Sequence, residues 1–274
     1  FECVAGATDE KINEKQGKKT IFEPSNLSSQ QVYYLAAMQK MPPPAVNEHI
    51  PHLAFDSVIF GFSGTQLKIL IMEYHNTNIF ALPGGFVKKE EHLNDAVRRG
   101  LKERTGLDNI YLEQFYTFGD ADRQNPEAMR RILANNGLSP EKYSWMLDRF
   151  ISVAYYALIN YQDVVPQPDA LSDSCQWYNI DALPPLMMDH QLIVEKALET
   201  LRNNLDRKLA KGNMLPPKFT MKDLQHAYEA ILGTPLLRTT FQRRMLSLEI
   251  LERHEKQYSG GAHKAPFLYS FIKN

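Results

Sequence analysis

The chain has 274 residues, 43% of them hydrophobic, and sets 31 Lys and Arg against 32 Asp and Glu. A soluble globular protein with apolar residues for one large core or two modest ones is expected, and near-neutrality excludes any global attraction to nucleic acid or membrane. No apolar run reaches the roughly 18 to 20 residues needed to cross a bilayer, and no basic stretch followed by an apolar block opens the chain, so no membrane partner is expected.

Two cysteines, Cys3 and Cys175, are too few for a disulfide scaffold or a four-thiolate zinc site, and a reducing cytoplasmic location is expected. The first residue is Phe rather than Met, as in a chain that begins partway into a longer product.

Residues 1–27 are polar and irregular, Ser28 is placed to cap a short helix to about Lys40, and Met41-Pro-Pro-Pro-Ala reads as an extended linker, since consecutive prolines fix φ and disfavour the helical region before them. The body begins near His52. Leu53–Phe60 and Leu67–Met72 are β-rich runs joined by the hairpin signal Gly61-Phe-Ser-Gly-Thr, and a third run, Ile79–Leu82, is expected to end at Pro83-Gly84-Gly85. A helix of about 13 residues follows, with Leu93, Ala96, Val97, Gly100 and Leu101 on one face and Gly106 as its stop. Strands are expected at Ile110–Phe118, Ile151–Ile159 and around Trp177. Between the first two lies a polar, helix-prone insertion at about 123–148, where Ser139-Pro140-Glu141 is placed to cap a second helix. A helix from about His190 to Lys208 closes the body, and Lys211-Gly-Asn-Met-Leu-Pro-Pro marks a boundary.

Charge separates the two parts. From Asp206 onward the balance is +6, and the remainder carries −7. The basic tail opens with Thr220-Met-Lys-Asp223, a capping box for a helix that buries Leu224, Ala227, Tyr228 and Ile231 and stops at Gly233. In the next helix Phe241, Met245 and Leu248 form the expected buried stripe. Thr239, Gln242 and Arg243 then point outward, flanked by Arg238, Thr240 and Arg244, with Leu246 also outward and unexplained. A glycine-tipped basic hairpin with His263 and Lys264 precedes a strand at Phe267-Leu-Tyr-Ser-Phe. This is the order of a winged helix-turn-helix, in which the second helix enters the major groove and the hairpin touches phosphate or the minor groove. A small helical domain used for protein contacts is the competing reading.

Gly85, Glu91, Arg99, Leu101, Glu103, Gly106 and Leu107 fall on the spacing of the Nudix box, with Gly100 and Arg104 in place of two of its glutamates. A lone Glu103 is not a Mg²⁺ site, because hard cations need several oxygen ligands to offset dehydration, and Glu103 is expected to pair with an arginine. Glu90 and Glu91 in the preceding loop are the remaining acids available to recruit a metal.

A degenerate box followed by a winged helix, together with Phe219-Thr-Met-Lys-Asp-Leu-Gln-His-Ala-Tyr-Glu-Ala-Ile-Leu-Gly, resembles the Nudix-related transcriptional regulators of bacteria over roughly residues 52–274. The resemblance implies an α+β chain: an N-terminal extension and Pro-rich linker (1–50), a Nudix-like α/β/α sandwich that senses an effector (51–210), and a winged helix-turn-helix that binds DNA (211–274). It also implies a homodimer on a palindromic operator in double-stranded DNA, with no catalytic residue, cofactor or metal. Gly84-Gly-Phe-Val-Lys-Lys-Glu-Glu, Arg104-Thr-Gly-Leu, Ser152-Val-Ala-Tyr-Tyr-Ala-Leu-Ile and Asp189-His190 are most similar to the branch that senses pentoses such as L-arabinose. An ADP-ribose-sensing regulator of NAD metabolism and a Mg²⁺-dependent hydrolase of ADP-ribose or a nucleotide sugar are the alternatives, with a sugar-binding adaptor behind them.

The expected DNA contacts are Arg238, Thr239, Thr240, Gln242, Arg243, Arg244, His263 and Lys264. A sugar or nucleotide needs convergent carboxylate, amide or Arg groups over an apolar floor, which selects Glu73, Tyr74, Asp120, Asp122, Arg123, Tyr155 or its neighbour Tyr156, Asp189 and His190 as effector candidates.

Overall fold

The computed structural model describes residues 48–108, 110–161, 165–211, 214–257 and 265–272, all of which belong to one structural unit, Met41–Asn274. The N-terminal helix and proline linker expected from the sequence lie outside the described residues, as do His263 and Lys264 at the hairpin tip.

Seven strands form one mixed sheet: β1 (His49–Phe62), β2 (Leu67–Tyr74), β3 (Ile79–Ala81), β4 (Gly84–Lys88), β5 (Glu113–Phe118), β6 (Ile151–Asn160) and β7 (Ser172–Asn179). The order runs β3-β2-β1-β6-β5, with β4 also paired to β1 and β7 to β2. Only β1 and β6 run parallel among these pairs, from Leu53↔Ile151 to Phe62↔Asn160; Ile59 and Ala157 are buried beside one face, Phe60 and Leu158 beside the other. Such two-sided burial is why these two strands read as nearly unbroken apolar runs.

Helix α1 (Leu93–Thr105) covers one face and ends on Gly106, which takes the left-handed conformation at φ 72 and donates its N–H to Lys102 O. Its Ala96 and Val97 pack with Phe55, Val87 and Tyr155. The other face takes α3 (His190–Asn203), whose Ile193, Val194, Ala197 and Leu201 meet Val58, Phe60, Ile69, Ile71 and Tyr156. Adjacent Tyr155 and Tyr156 thus serve opposite faces, as strand alternation requires. Helix α2 (Pro126–Asn135) and a 3₁₀ turn at Ser144–Leu147 lie between β5 and β6.

Three expectations are corrected here. The third run ends before Pro83, as expected, but Gly84 and Gly85 then begin an unexpected strand, β4, which pairs with β1 at Phe55↔Gly85 and Asp56↔Gly84. The helix expected to run to Lys208 breaks at Asn204 into α3 and α4 (Leu205–Lys211). Ser139 hydrogen-bonds Glu141 and accepts from Lys142 N, so it organises a turn rather than capping a second α-helix.

The C-terminal part contains β8 (Phe219–Thr220), α5 (Met221–Leu232), α6 (Arg238–Ser247), β9 (Leu251–Lys256) and β10 (Phe267–Phe271), with strand order β8-β10-β9. The capping box is complete: Thr220 accepts from Asp223 N, Asp223 accepts from Thr220 N, and Gly233 closes α5 at φ 72. Packing is continuous with the sheet domain, since one apolar cluster runs from Phe60 and Ile193 through Leu205 and Leu209 to Leu224, Tyr228 and Met245. No described helix is long and apolar enough to cross a membrane.

Candidate functional site: a charged cleft and an arginine helix

The box helix is held by its own charges. Arg99 donates to Glu91 at 2.6 and 3.0 Å, to Glu103 at 2.9 Å and to the Phe86 carbonyl at 3.0 Å. The Arg99 guanidinium holds the Glu91 carboxyl below its usual range, helped by the Lys88 N–H. Glu103 therefore pairs with an arginine, as its isolation in the sequence suggested, and Glu91 is likewise committed to structure.

Gly100 explains why the box glutamate is missing there. A Cβ at this position would lie 2.4 Å from Phe55 Cζ, and one at Gly85 would lie 2.8 Å from the same atom. The two glycines form a slot for a wholly buried ring, so a larger side chain at 100 forces Phe55 to move. Arg104, in place of the second glutamate, reaches Asp169 at 3.0 Å. Burial pulls its pKa down, but Asp169, Tyr74 and Glu103 together outweigh this and hold it above the ordinary value. The box residues thus do not fit a divalent ion: Glu91 and Glu103 are both paired with Arg99, the Arg104 guanidinium stands at one of the missing acids and the Phe55 ring lies against the other. Among the described residues no three His, Cys, Asp or Glu side chains gather into a metal site.

Beside this helix opens a cleft of about 1000 Å³, counting the open solvent at its mouth. Asp56, Tyr74, Arg104, Arg123 and His190 give it a charged end. Arg123 is almost fully buried; it donates to Asp56 at 2.7 Å, to Asp189 at 2.7 Å and to the Phe150 carbonyl at 3.3 Å. Ser152 donates to the same oxygen of Asp56 at 2.6 Å. His190 Nδ1 accepts from Leu82 N at 3.0 Å while Nε2 lies 3.6 Å from Asp56. Because Nδ1 is an acceptor, the neutral ring carries its proton on Nε2, and burial lowers its pKa further. Tyr74, also buried, is raised by burial and stays protonated.

Of the effector candidates, Tyr74, Arg123 and His190 line the cleft and Asp189 buttresses Arg123 from the start of α3. The others do not line it. Glu73 lies on β2 and accepts from Ser174, and Asp120 and Asp122 are exposed in the turn that delivers Arg123. Tyr155 sits beneath α1 and donates to Asn94 at 2.9 Å, while Tyr156, on the opposite face, donates to Glu113 at 3.2 Å. Asp56 and Arg104 line the cleft but are not among the sequence candidates, because their places depend on contacts between segments 65 or more residues apart, Arg123 on Asp56 and Arg104 on Asp169. The insertion supplies one wall of the cleft through Asn125, Met129, Leu133, Asn136, Leu138 and Met146.

On the C-terminal part, Arg238, Thr239, Thr240 and Arg243 of α6 are exposed and Gln242 is half-buried over buried Phe241 and Met245. Leu248 is 36% exposed rather than part of the buried stripe, because the helix ends at Ser247. Arg244 is partly withdrawn: it chelates Asp206 of α4 at 2.8 and 3.0 Å and lies over the Tyr228 ring. Arg253 and Lys256 on β9 flank the Phe267 ring at 4.8 and 5.2 Å, adding positive charge along the wing.

Comparison with known proteins follows this division. Residues 50–197 match the NUDIX domain, and residues 211–271 match the NrtR DNA-binding winged helix domain. A protein of Acinetobacter baylyi named ADPR responsive transcriptional repressor NtrR is 32% identical over 253 residues, covering 90% of each chain. The chain belongs to the NrtR family of Nudix-domain, winged-helix regulators. Its fold is also similar to the crystal structure of Shewanella oneidensis NrtR, with a TM-score of 0.61 at 26% identity over 81% of this chain and 94% of that one. The structure of the same Shewanella protein complexed with a 27mer DNA gives a TM-score of 0.59 at 28% identity over 80% and 93%. Like its relatives, this NrtR-family chain joins an α+β Nudix sandwich to a winged helix.

Proposed function

We propose that this protein is a transcriptional repressor that binds operator DNA through α6 and the wing, senses ADP-ribose in the Nudix cleft, and does not hydrolyse it. The observation that carries this reading is the Arg104–Asp169 pair: a fixed cation stands where a hydrolase gathers carboxylates, and a cleft with Arg104 and Arg123 at one end suits a diphosphate better than an uncharged pentose. The Acinetobacter relative is named as ADPR responsive, whereas nothing in the comparisons favours arabinose. ADP-ribose therefore replaces the pentose as the expected effector.

Coupling runs along α3. Its first residues hold the cleft, through Asp189 on Arg123 and His190 on Asp56, and at its far end Arg202 donates to Ile231 O of α5 at 2.7 Å. A diphosphate that draws Arg123 away from its two aspartates shifts that helix and, with it, the spacing of two recognition helices in a homodimer. Lys208 of α4, nearly buried, pairs with Glu113 of β5 and so ties the same region to the sheet.

The test is a mobility-shift titration on DNA from the neighbouring promoter at fixed salt, without and with ADP-ribose or L-arabinose. Sequence-preferring binding that ADP-ribose alone weakens is the expected result. Release by arabinose alone would restore the pentose reading, and Mg²⁺-dependent cleavage of the diphosphate bond of ADP-ribose would overturn the non-hydrolytic one.

A further inference from the structure

The cleft has two ends of different chemistry, and the insertion between β5 and β6 joins them. Arg123 and Asn125 stand at the N-terminal end of α2, whereas Asn136, Leu138 and Met146 line the cleft at and beyond its C-terminal end. Ten residues of helix rise about 15 Å, which separates the two ends. The helix dipole sets the direction, since its N-terminal end favours phosphate and its C-terminal end favours a donor group.

Asn136 supplies a specific contact. Its Nδ2 donates to Ile132 O at 2.9 Å, which fixes the amide orientation and leaves Oδ1 as the atom without a partner among the described residues. Around it the wall is apolar and pliable: Met129, Met146, Met187 and Met188, four of the chain's ten methionines, line this cleft. Thioethers adapt to a flat ring and make favourable contacts with its edge. Met188 is held at φ 48, a conformation costly for a side chain of this size and common at binding sites.

Resting on the ADP-ribose reading above, we propose that the insertion is the base subsite: the adenine lies against Leu138 and Met146, and Asn136 Oδ1 accepts a hydrogen bond from its exocyclic amine. The charged end then takes the diphosphate. A base that offers an oxygen in place of the amine sets two acceptors against each other and binds poorly.

Calorimetric titration of the whole chain with ADP-ribose, with its hypoxanthine counterpart and with ribose 5-phosphate tests this. Wild type should bind ADP-ribose about tenfold tighter than the hypoxanthine analogue, the effect of one buried hydrogen bond and the acceptor left unpaired. Asn136→Ala should reduce that ratio to about twofold while leaving ribose 5-phosphate binding unchanged. Equal binding of the two nucleotides by wild type, or an undiminished preference in Asn136→Ala, overturns the base subsite and leaves the ADP-ribose reading standing. Failure of wild type to bind ADP-ribose overturns both. The analogue comparison needs no variant, so an unfolded Asn136→Ala protein does not shelter the proposal.

Discussion

Two helices of this protein are rich in arginine and put it to opposite uses. On α1, Arg98, Arg99 and Arg104 each meet an acid, at Asp95, Glu91 with Glu103, and Asp169. On α6, Arg238 and Arg243 are exposed with no acid partner among the described residues, and only Arg244 is bound, to Asp206. Paired guanidinium groups hold a scaffold together, whereas unpaired ones are free to meet phosphate or base edges. Counting arginines therefore does not distinguish the two helices; counting the acids within reach does.

Removing the most deeply paired arginine should have the largest effect. Arg123→Met strands Asp56 and Asp189, so unfolding free energy measured by urea titration should fall by about 3 to 5 kcal/mol. A loss below 1 kcal/mol would show that the cluster contributes little to the fold. Next comes the attempt to rebuild the box. Gly100→Glu forces Phe55 from its slot and should cost about 1 to 3 kcal/mol of unfolding free energy in the same titration.

The arginine helix offers the contrast. Arg243→Ala should weaken specific DNA binding by about 1 to 3 kcal/mol if it reads a base, and Arg244→Ala by less, because Asp206 already neutralises part of its charge. Fluorescence anisotropy at matched salt orders the two; equal losses would erase the distinction drawn here. The smallest effect belongs to Glu103→Gln on α1, where the half-exposed i,i+4 pair with Arg99 should contribute no more than about 0.5 kcal/mol to stability.

One pH dependence follows from the cleft. His190 is neutral in the fold with its pKa lowered, first by burial, so the unfolded chain binds a proton more readily. Stability is then full above the ordinary imidazole value near 6.5 and declines as pH falls below it. Urea midpoints at pH 7.5 and 5.5 should differ less in His190→Gln than in wild type. An unchanged difference would place the titrating group elsewhere.

Local signals were the most readable part of the chain. The thirteen-residue α1 with its Gly106 stop, the capping box at Thr220 and Asp223, the hairpin between β1 and β2, and the opposite facing of Tyr155 and Tyr156 all depend on neighbours within a few residues, so periodicity and cap chemistry suffice to place them. Gly84 and Gly85 marked the end of β3 but hid β4, because the same residue that breaks a strand in isolation permits β4 to lie close on Phe55 and Asp56.

The amino-acid sequence determined which box acids were missing, that Glu103 had to find an arginine, and that the two ends of the chain differed in charge, since these are matters of identity and spacing. Tertiary structure alone decided that Asp56 and Arg104 belong to the cleft, that Asp120 and Asp122 do not line it, that Arg104 answers to Asp169 and Arg244 to Asp206, and that the insertion forms a wall. Each of those depends on a partner many residues away, and a buried ion pair gives no periodic trace along the chain: it exists only once the fold has removed water from both charges and brought them within hydrogen-bonding reach.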